Sequence, residues 1–396
     1  MKISAISNFH KLSLKEKIKI IKEFSNLTKE DLNLIKSYQK LPDFLDFENN
    51  IGPFKIATNF LVNGKDYFVP MEIEEPSVVA AASRGAKLIR TGGGFLGEYL
   101  GNEMVGELQL TGVRDFKKTK NKILRKKREI LDLANKSDSF LLKIGGGARD
   151  LKLKKIKDFL VLYLIVDPKD ALGANLINTM LEKISPFLKK ITKAEIGARI
   201  ISNFTERRIV RVKGKVPIKN LALKSFPGEI VTERILMLQK LAENDIFRAV
   251  THNKGVMNGI DAVALATGND FRAIESAVHS FAQRGGKYQP ITKWKIENNY
   301  LVGKIEIPLP IATVGGAIQT RKARLALKIL RIREARELGI IMAAVGLANN
   351  LSALSVVATE GIQKGHMKLH REFLKKSFSK NDFKRRKKRN WKKKGN

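Results

Sequence analysis

A chain of 396 residues with 43% hydrophobic content is long enough for two or three domains and a sizeable core, which excludes a wholly disordered polypeptide. It contains no cysteine, which excludes disulfides, thiolate metal sites and cysteine nucleophiles and fits a reducing compartment. The net charge of +36 is partly local: residues 375–396, KKSFSKNDFKRRKKRNWKKKGN, carry twelve Lys/Arg and one Asp, hence +11, leaving +25 over the preceding 374 residues. No aromatic-interleaved RNP pattern, zinc-finger spacing or heptad dimer accompanies these lysines, so they read as solvated surface and not as a nucleic-acid module. The longest apolar runs, FLVLYLIV (159–166) and IIMAAV (340–345), fall short of the ~20 residues of a membrane helix. The start, MKISAISNFHKLSLKEKIKII, interrupts its apolar residues before a signal-peptide core forms. These features predict a cytoplasmic protein without a membrane span.

In chain order, KEKIKIIKEFSNLTKEDLNLIK sets Ile and Leu at helical spacing with a start signal at Thr28, predicting two amphipathic helices. Asn63-Gly64 predicts a tight hairpin between extended runs, and VVAAASRGAKLI a small-residue helix. From about Asp115 the pattern changes to a basic helix, KKTKNKILRKKREILDLANK, a short strand, FLLKIGGG, and a continuous apolar strand, DFLVLYLIVD. A helix, ALGANLINTMLEKISPFLKKI, and two β-like runs, AEIGARIISNF and RIVRVKGKVPI, complete what reads as an inserted α+β sandwich with its strands in one sheet. Beyond about Asn220 the chain is mostly helical, with one hairpin turning at 297–299 and two long small-residue helices before the basic tail.

Several stretches have the form of functional motifs. GGGFLG (92–97) matches G-x-G-x-x-G, but AKLIRT before it is a poor strand and glycines interrupt the segment after it, so the dinucleotide reading is rejected. DALGAN (170–175) follows a strand and opens a helix. Its free N–H groups suit a phosphate, and an N-capping aspartate with tight packing accounts for the same spacing. His366, in KGHMKLH before the polar tail, is either a mobile acid or an unremarkable surface histidine. Glu74 and Glu75 are neighbours in an extended segment, so at most one points into a site. In THNKGVMNGIDAVALATGND (251–270), Lys254 and Asp270 bracket an apolar core-like run.

Together, MEIEEPSVVAAASRGAKL, DALGANLINTMLE, FRAVTHNKGVMNGIDAVALATGND and ATEGIQKGHMKLH resemble class II 3-hydroxy-3-methylglutaryl-coenzyme A (HMG-CoA) reductase. The resemblance runs from Ser7 to about Glu372, and EEP at 74–76 favours class II. It implies reduction of a thioester to an alcohol with two NAD(P)H, linking HMG-CoA to mevalonate and coenzyme A in isoprenoid biosynthesis. By the same resemblance Lys254 stabilises the carbonyl oxyanion, His366 protonates the coenzyme A thiolate, Glu75 is the second proton donor, and Asp270 tunes Lys254 and Glu75. Arg248 matches the substrate-carboxylate arginine, and Ser77 and Asn258 match polar substrate contacts. Asp170, Ala171, Leu172, Gly173, Ala174 and Asn175 become the cofactor-phosphate segment. Asp138 lies where an acid holds an adenosine ribose, which favours NADH over NADPH although Lys143 and Arg149 are near.

The implied fold is α+β. A large, mainly helical acyl-CoA-binding domain (1–102 and 206–362) carries an inserted ferredoxin-like dinucleotide-binding domain (103–205) and a short C-terminal flap with the basic tail (363–396). Family active sites form at a homodimer boundary, and further assembly stays open. Only thirty residues follow His366, fewer than the family's flap usually has. The alternative is a catalytically weak homologue whose basic surface binds nucleic acid or anionic membrane.

Overall fold

Ser13 and Thr28 each build a reciprocal cap: Glu16 N–H faces the Ser13 hydroxyl while Ser13 N–H reaches the Glu16 carboxylate, and Thr28 does the same with Asp31. They open α1 (Leu14–Ser25) and α2 (Lys29–Tyr38) in the computed structural model, which describes residues 3–38, 54–359 and 361. The inward side chains Ile21, Phe24 and Ile35 are buried in a cluster with Phe68, Leu325 and Ile329.

Asn63 and Gly64 take φ of 48° and 75°, the left-handed pair of a type I′ turn, and join β1 (Lys55–Val62) to β2 (Lys65–Met71). Pro76 then starts α3 (Pro76–Arg90) at the position where its missing N–H costs nothing. GGGFLG leads from this helix into β3 (Phe95–Tyr99), the reverse of a dinucleotide fingerprint's strand-to-helix order. Gly92 is needed for packing, since a Cβ there would stand 2.0 Å from the Lys215 carbonyl oxygen.

The next elements form a unit with its own sheet and core. They are β4 (Met104–Thr111), α4 (Phe116–Arg125), α5 (Lys127–Asn135), α6 (Ser139–Lys143), β5 (Gly147–Ile156), β6 (Phe159–Asp167), α7 (Ala174–Thr192) and β7 (Glu195–Ile201). The strand order β5-β6-β4-β7, antiparallel throughout, is the split β-α-β order. Ile123, Ile130, Ile177, Met180 and Ile184 from the helices meet Leu108, Leu110, Leu162 and Leu164 from the strands.

Three details depart from the sequence reading. FLLKIGGG is not a strand: Asp138 caps α6 there, and the positive φ of Gly145 and Gly147 turns the chain into β5, which starts at Gly147. The fourth strand of the small sheet is β4, whose strict alternation in MVGELQLT was masked by its glycine. RIVRVKGKVPI, β8 (Ile209–Pro217), instead joins the larger sheet, of order β2-β1-β3-β8-β10-β9.

The remainder is α8 (Gly228–Asn244), α9 (Ile246–Ala266), α10 (Phe271–Ala282), the hairpin β9 (Thr292–Glu297) and β10 (Tyr300–Pro308), α11 (Arg321–Leu330) and α12 (Ala335–Val357). The α12 helix is long and apolar enough to cross a membrane, but 78% of its apolar window is buried inside the protein. Ile341, Met342, Leu347 and Leu351 are fully buried, each worth about 1.5–3 kcal/mol relative to exposure. The α3 and α12 helices touch backbone to backbone: a Cβ on Gly85 would lie 2.0 Å from the Ala348 carbonyl oxygen. Gly85→Ala is therefore expected to destabilise the protein by about 1–3 kcal/mol through overpacking, read as a lower urea midpoint. An unchanged midpoint would contradict the contact.

Candidate functional site

Of the stretch bracketed by Lys254 and Asp270, residues 251–266 continue α9 without a break, and Asp270 lies beyond it at the cap of α10. In α9, His252, Asn253, Val256, Met257, Ile260 and Val263 face the core, while Lys254 and Asn258, one turn apart, lie on the opposite side. Lys254 is exposed and, among the described residues, has no ion-pair partner. Asp245 caps the helix by accepting from Arg248 N–H at 2.8 Å. The Arg248 guanidinium Nε is buried without a hydrogen-bond partner, and burial draws its pKa down. A buried, unmatched cationic donor is costly, and an incoming carboxylate removes the cost.

One turn further on, His252 is buried against Thr292 Oγ1 (2.6 Å) and Asn350 Nδ2 (3.1 Å). Burial, then the Arg248 charge, pushes its imidazole down to about 4. It is a neutral core histidine that supports the helix beneath Arg248. Asn350 completes the support, its Oδ1 accepting from Thr292 Oγ1 and Trp294 Nε1.

Glu75 stands at the start of α3, where its Oε1 accepts from Ser77 N–H at 3.0 Å, so the two residues form one cap. Lys55, 5% exposed, lies beneath this acidic turn and donates to the Ile73 carbonyl. Desolvation lowers its pKa, against the opposing pull of Glu74, Glu75 and Glu72. Glu72 pairs with Lys322, and its N–H donates to Ala262 of α9 at 2.8 Å, which ties the acidic turn to that helix. Sequence reading missed Lys55, because a lysine in a strand looks like surface.

Asp270 caps α10, accepting from Arg272 N–H (3.1 Å) and Ala273 N–H (3.3 Å), and its oxygens also hold the Arg272 guanidinium. Arg272 is the main reason its carboxyl lies below the usual range. Lys254 and Ala266 are separated by about 18 Å of helix. The amides of Thr267, Gly268 and Asn269 are tied back to the last turn. Lys254 and Asp270 thus stand on successive helices, Lys254 within α9 and Asp270 at the cap of α10. His366 lies outside the described residues.

DALGAN follows β6. Gly173, at φ +92°, is the N-cap of α7 and offers no side chain to its first turn, so the amides of Ala174 and Asn175 are not side-chain capped. Asp170 does not cap this helix. Its Oδ1 accepts from Ala335 N–H at 2.8 Å, closing the first turn of α12, while its carbonyl accepts from Thr313 N–H.

The loop is gripped from below by Arg208, which is 0% exposed. This arginine donates to the Ala171 carbonyl (3.2 Å), the Lys169 carbonyl (3.3 Å) and the Tyr99 hydroxyl (2.8 Å). Asn102 adds bonds to Asp167 and the Lys169 carbonyl. Sequence reading missed Arg208 as well: in TERRIVRV nothing but its position just before a strand sets it apart. Asp138 Oδ1 accepts from Leu141 N–H at 2.9 Å as the cap of α6. Arg149 lies 3.7 Å from Asp167.

This arrangement has known counterparts. The family model described as hydroxymethylglutaryl-coenzyme A reductase matches residues 13–371. The chain is 46% identical over 380 residues to the 3-hydroxy-3-methylglutaryl-coenzyme A reductase of Archaeoglobus fulgidus, covering 93% of this chain and 86% of that protein. It is 35% identical over 381 residues to the probable reductase of Borreliella burgdorferi, covering 92% and 85%. A solved Streptococcus pneumoniae reductase superposes with a TM-score of 0.83 at 38% identity over 92% of this chain and 90% of that one. A class II structure from the same organism, bound to NADPH in open conformations, gives 0.82 at 38% identity over 89% and 99%. With the fold, the signature segments and the full-length matches in agreement, the chain belongs to the class II HMG-CoA reductases, the NAD(P)H-dependent oxidoreductases of the mevalonate pathway.

Proposed function

We propose that this reductase interconverts HMG-CoA and mevalonate plus coenzyme A at a site completed by a second copy of the chain. In this reading residues 103–205 hold the cofactor; residues 363–396, expected from the resemblance to be the flap, lie outside the described residues. The observation that carries it is the buried, partnerless Nε of Arg248 on the helix whose outer side bears Lys254 and Asn258. The free carboxylate of the substrate is an acceptor that a planar guanidinium matches with two hydrogen bonds. Asn258 and Ser77 supply neutral polar contacts to the same molecule.

The nicotinamide cofactor supplies hydride, twice for each thioester reduced. Lys254, an ammonium without an internal partner, stabilises the negative charge that develops on the substrate carbonyl oxygen. His366 gives a proton to the departing coenzyme A thiolate, which stops it from recapturing the aldehyde. Glu75, oriented by Ser77 N–H, gives the proton that completes the alcohol. Asp270, held ionised by Arg272, orients Lys254 of the partner subunit across the boundary.

The uncapped start of α7 suits the cofactor's diphosphate, with Gly173 and Ala174 allowing close approach and Asp170, Ala171, Leu172 and Asn175 completing the loop. Asp138 suits a ribose with a free 2′-hydroxyl and repels a 2′-phosphate, which favours NADH. The pairing surface is the outer side of α9 with the start of α10, where Phe247 is 82% exposed and Val250, Leu265 and Phe271 are also exposed.

Arg248→Lys is expected to raise KM for HMG-CoA about 10- to 100-fold, the loss of one charge-assisted hydrogen bond, with a smaller effect on the cofactor's KM. An unchanged KM would remove the arginine from the substrate. Lys254→Ala is expected to lower kcat by a factor on the order of 10²–10³ while leaving a folded dimer, in mevalonate oxidation followed with NAD and NADP separately. Phe247→Glu is expected to give a monomer by light scattering with activity reduced in proportion; a fully active monomer would rule out a shared site.

A further inference from the structure

The unit that runs from β4 to β7 hangs from the larger sheet by two connections, residues 100–103 after β3 and residues 202–208 before β8. Two units joined by such links move against each other unless their boundary is held. Here the links run side by side. Leu100 N–H donates to the Ile209 carbonyl at 2.8 Å, Ser202 N–H donates to the Val105 carbonyl at 2.8 Å, and Arg207 pairs with Glu103. Gly101 has no room for a side chain, since a Cβ there would stand 2.5 Å from the Arg207 carbonyl oxygen. Asn102 from the first link and Arg208 from the second both reach the loop that opens α7, and their bonds close into a ring. Arg208 Nε donates to the Tyr99 hydroxyl (2.8 Å), which donates to Asn102 Oδ1 (2.9 Å). Asn102 Nδ2 donates to the Lys169 carbonyl (3.0 Å), and the same oxygen accepts from Arg208 Nη2 (3.3 Å), which returns to the start. Arg208 Nη1 then reaches beyond the ring to the carbonyls of Ala171 (3.2 Å) and Leu172 (3.5 Å), the two residues before Gly173.

Resting on the reading that the first-turn amides of α7 receive the cofactor's diphosphate, we propose that this ring is the joint that fixes the cofactor loop against the substrate half of the molecule. Tyr99, Asn102 and Arg208 are its positioning residues. The larger sheet holds the ring in place: Leu309 N–H donates to the Arg208 carbonyl at 3.0 Å, and Tyr99 lies opposite Val210 of β8. From there α12 carries the constraint to α9, with Gly339 against Val210 and Gly346 against Val256 and Ile260. Burial makes the joint stiff. Arg208 is 0% exposed, so a donor that loses its acceptor finds no water to replace it. The guanidinium must then shift to regain a partner, and the Ala171 and Leu172 carbonyls lose their fixed position with it. The amides of Ala174 and Asn175 follow directly after, so an error in the loop is passed to the place where the diphosphate is held.

Tyr99→Phe keeps the aromatic side chain that packs beside Gly339 and removes only the hydroxyl that joins Arg208 to Asn102. With the full chain, KM is measured for HMG-CoA and for NADH and NADPH separately, and the dissociation constant of each reduced cofactor is read from its fluorescence without turnover. Tyr99→Phe is expected to raise the KM and the dissociation constant of the cofactor about 5- to 30-fold, with the KM for HMG-CoA within about twofold of wild type. Arg208→Lys keeps the charge but brings one nitrogen where the guanidinium brings three, and is expected to go further in the same direction. If Arg208→Lys does not fold, Tyr99→Phe decides alone. A rise of equal size in both KM values, or a lower melting temperature with both unchanged, overturns the proposal and leaves the ring a pin for the fold. Wild type without turnover on either cofactor would overturn the reductase reading instead, while the fluorescence titrations of wild type and Tyr99→Phe would still decide on the joint.

Discussion

The constraint on which the rest depends is the burial of a charged guanidinium at a junction of two sheets. Arg208 precedes the strand that joins the larger sheet, yet its donors serve the carbonyls of the loop leaving the smaller one. A buried arginine is tolerable only when its donors are matched, and removing it would orphan the carbonyls as well. The loop cannot relax without stranding that charge. The positive φ of Gly173, the first-turn amides of α7 and the turn that exposes them are thus set by an arginine that contacts no ligand in the proposed mechanism.

The same logic accounts for α9. A helix is the only secondary structure that places Arg248, Lys254 and Asn258 at fixed spacing along a rigid rod, and its core side is anchored by a neutral His252 under Asn350 and Thr292. About 18 Å of helix runs from Lys254 to the end of α9, and Asp270 caps the helix that follows.

Legibility in the sequence followed the physics of each feature. Local signals were readable: Thr28 with Asp31, Asn63-Gly64 and the alternation of Lys with Ile each act through residues a few positions apart. The false dinucleotide motif was rejected on context, and the helix-to-strand order of α3 and β3 explains why its glycines are there. What could not be read depends on partners far along the chain. Asp170 looked like the cap of the helix beside it, but it caps α12, 165 positions on. Arg208 and Lys55 looked like surface because nothing local shows that they are buried. The candidate catalytic residues were recognisable only through resemblance, since spacing alone placed Lys254 and Asp270 on one segment and said nothing of the two helices they stand on.

The Asp170 contact has one more consequence. The carboxylate of Asp170, in the loop between β6 and α7, is also the acceptor for the first amide of α12, the longest helix among the described residues. Opening the loop would uncap α12 and expose its end to fraying, so the loop cannot open at the low free energy typical of surface segments. Its breathing is charged against the cooperative unit that holds the whole fold together. Rigidity at this edge of the protein is borrowed from the centre.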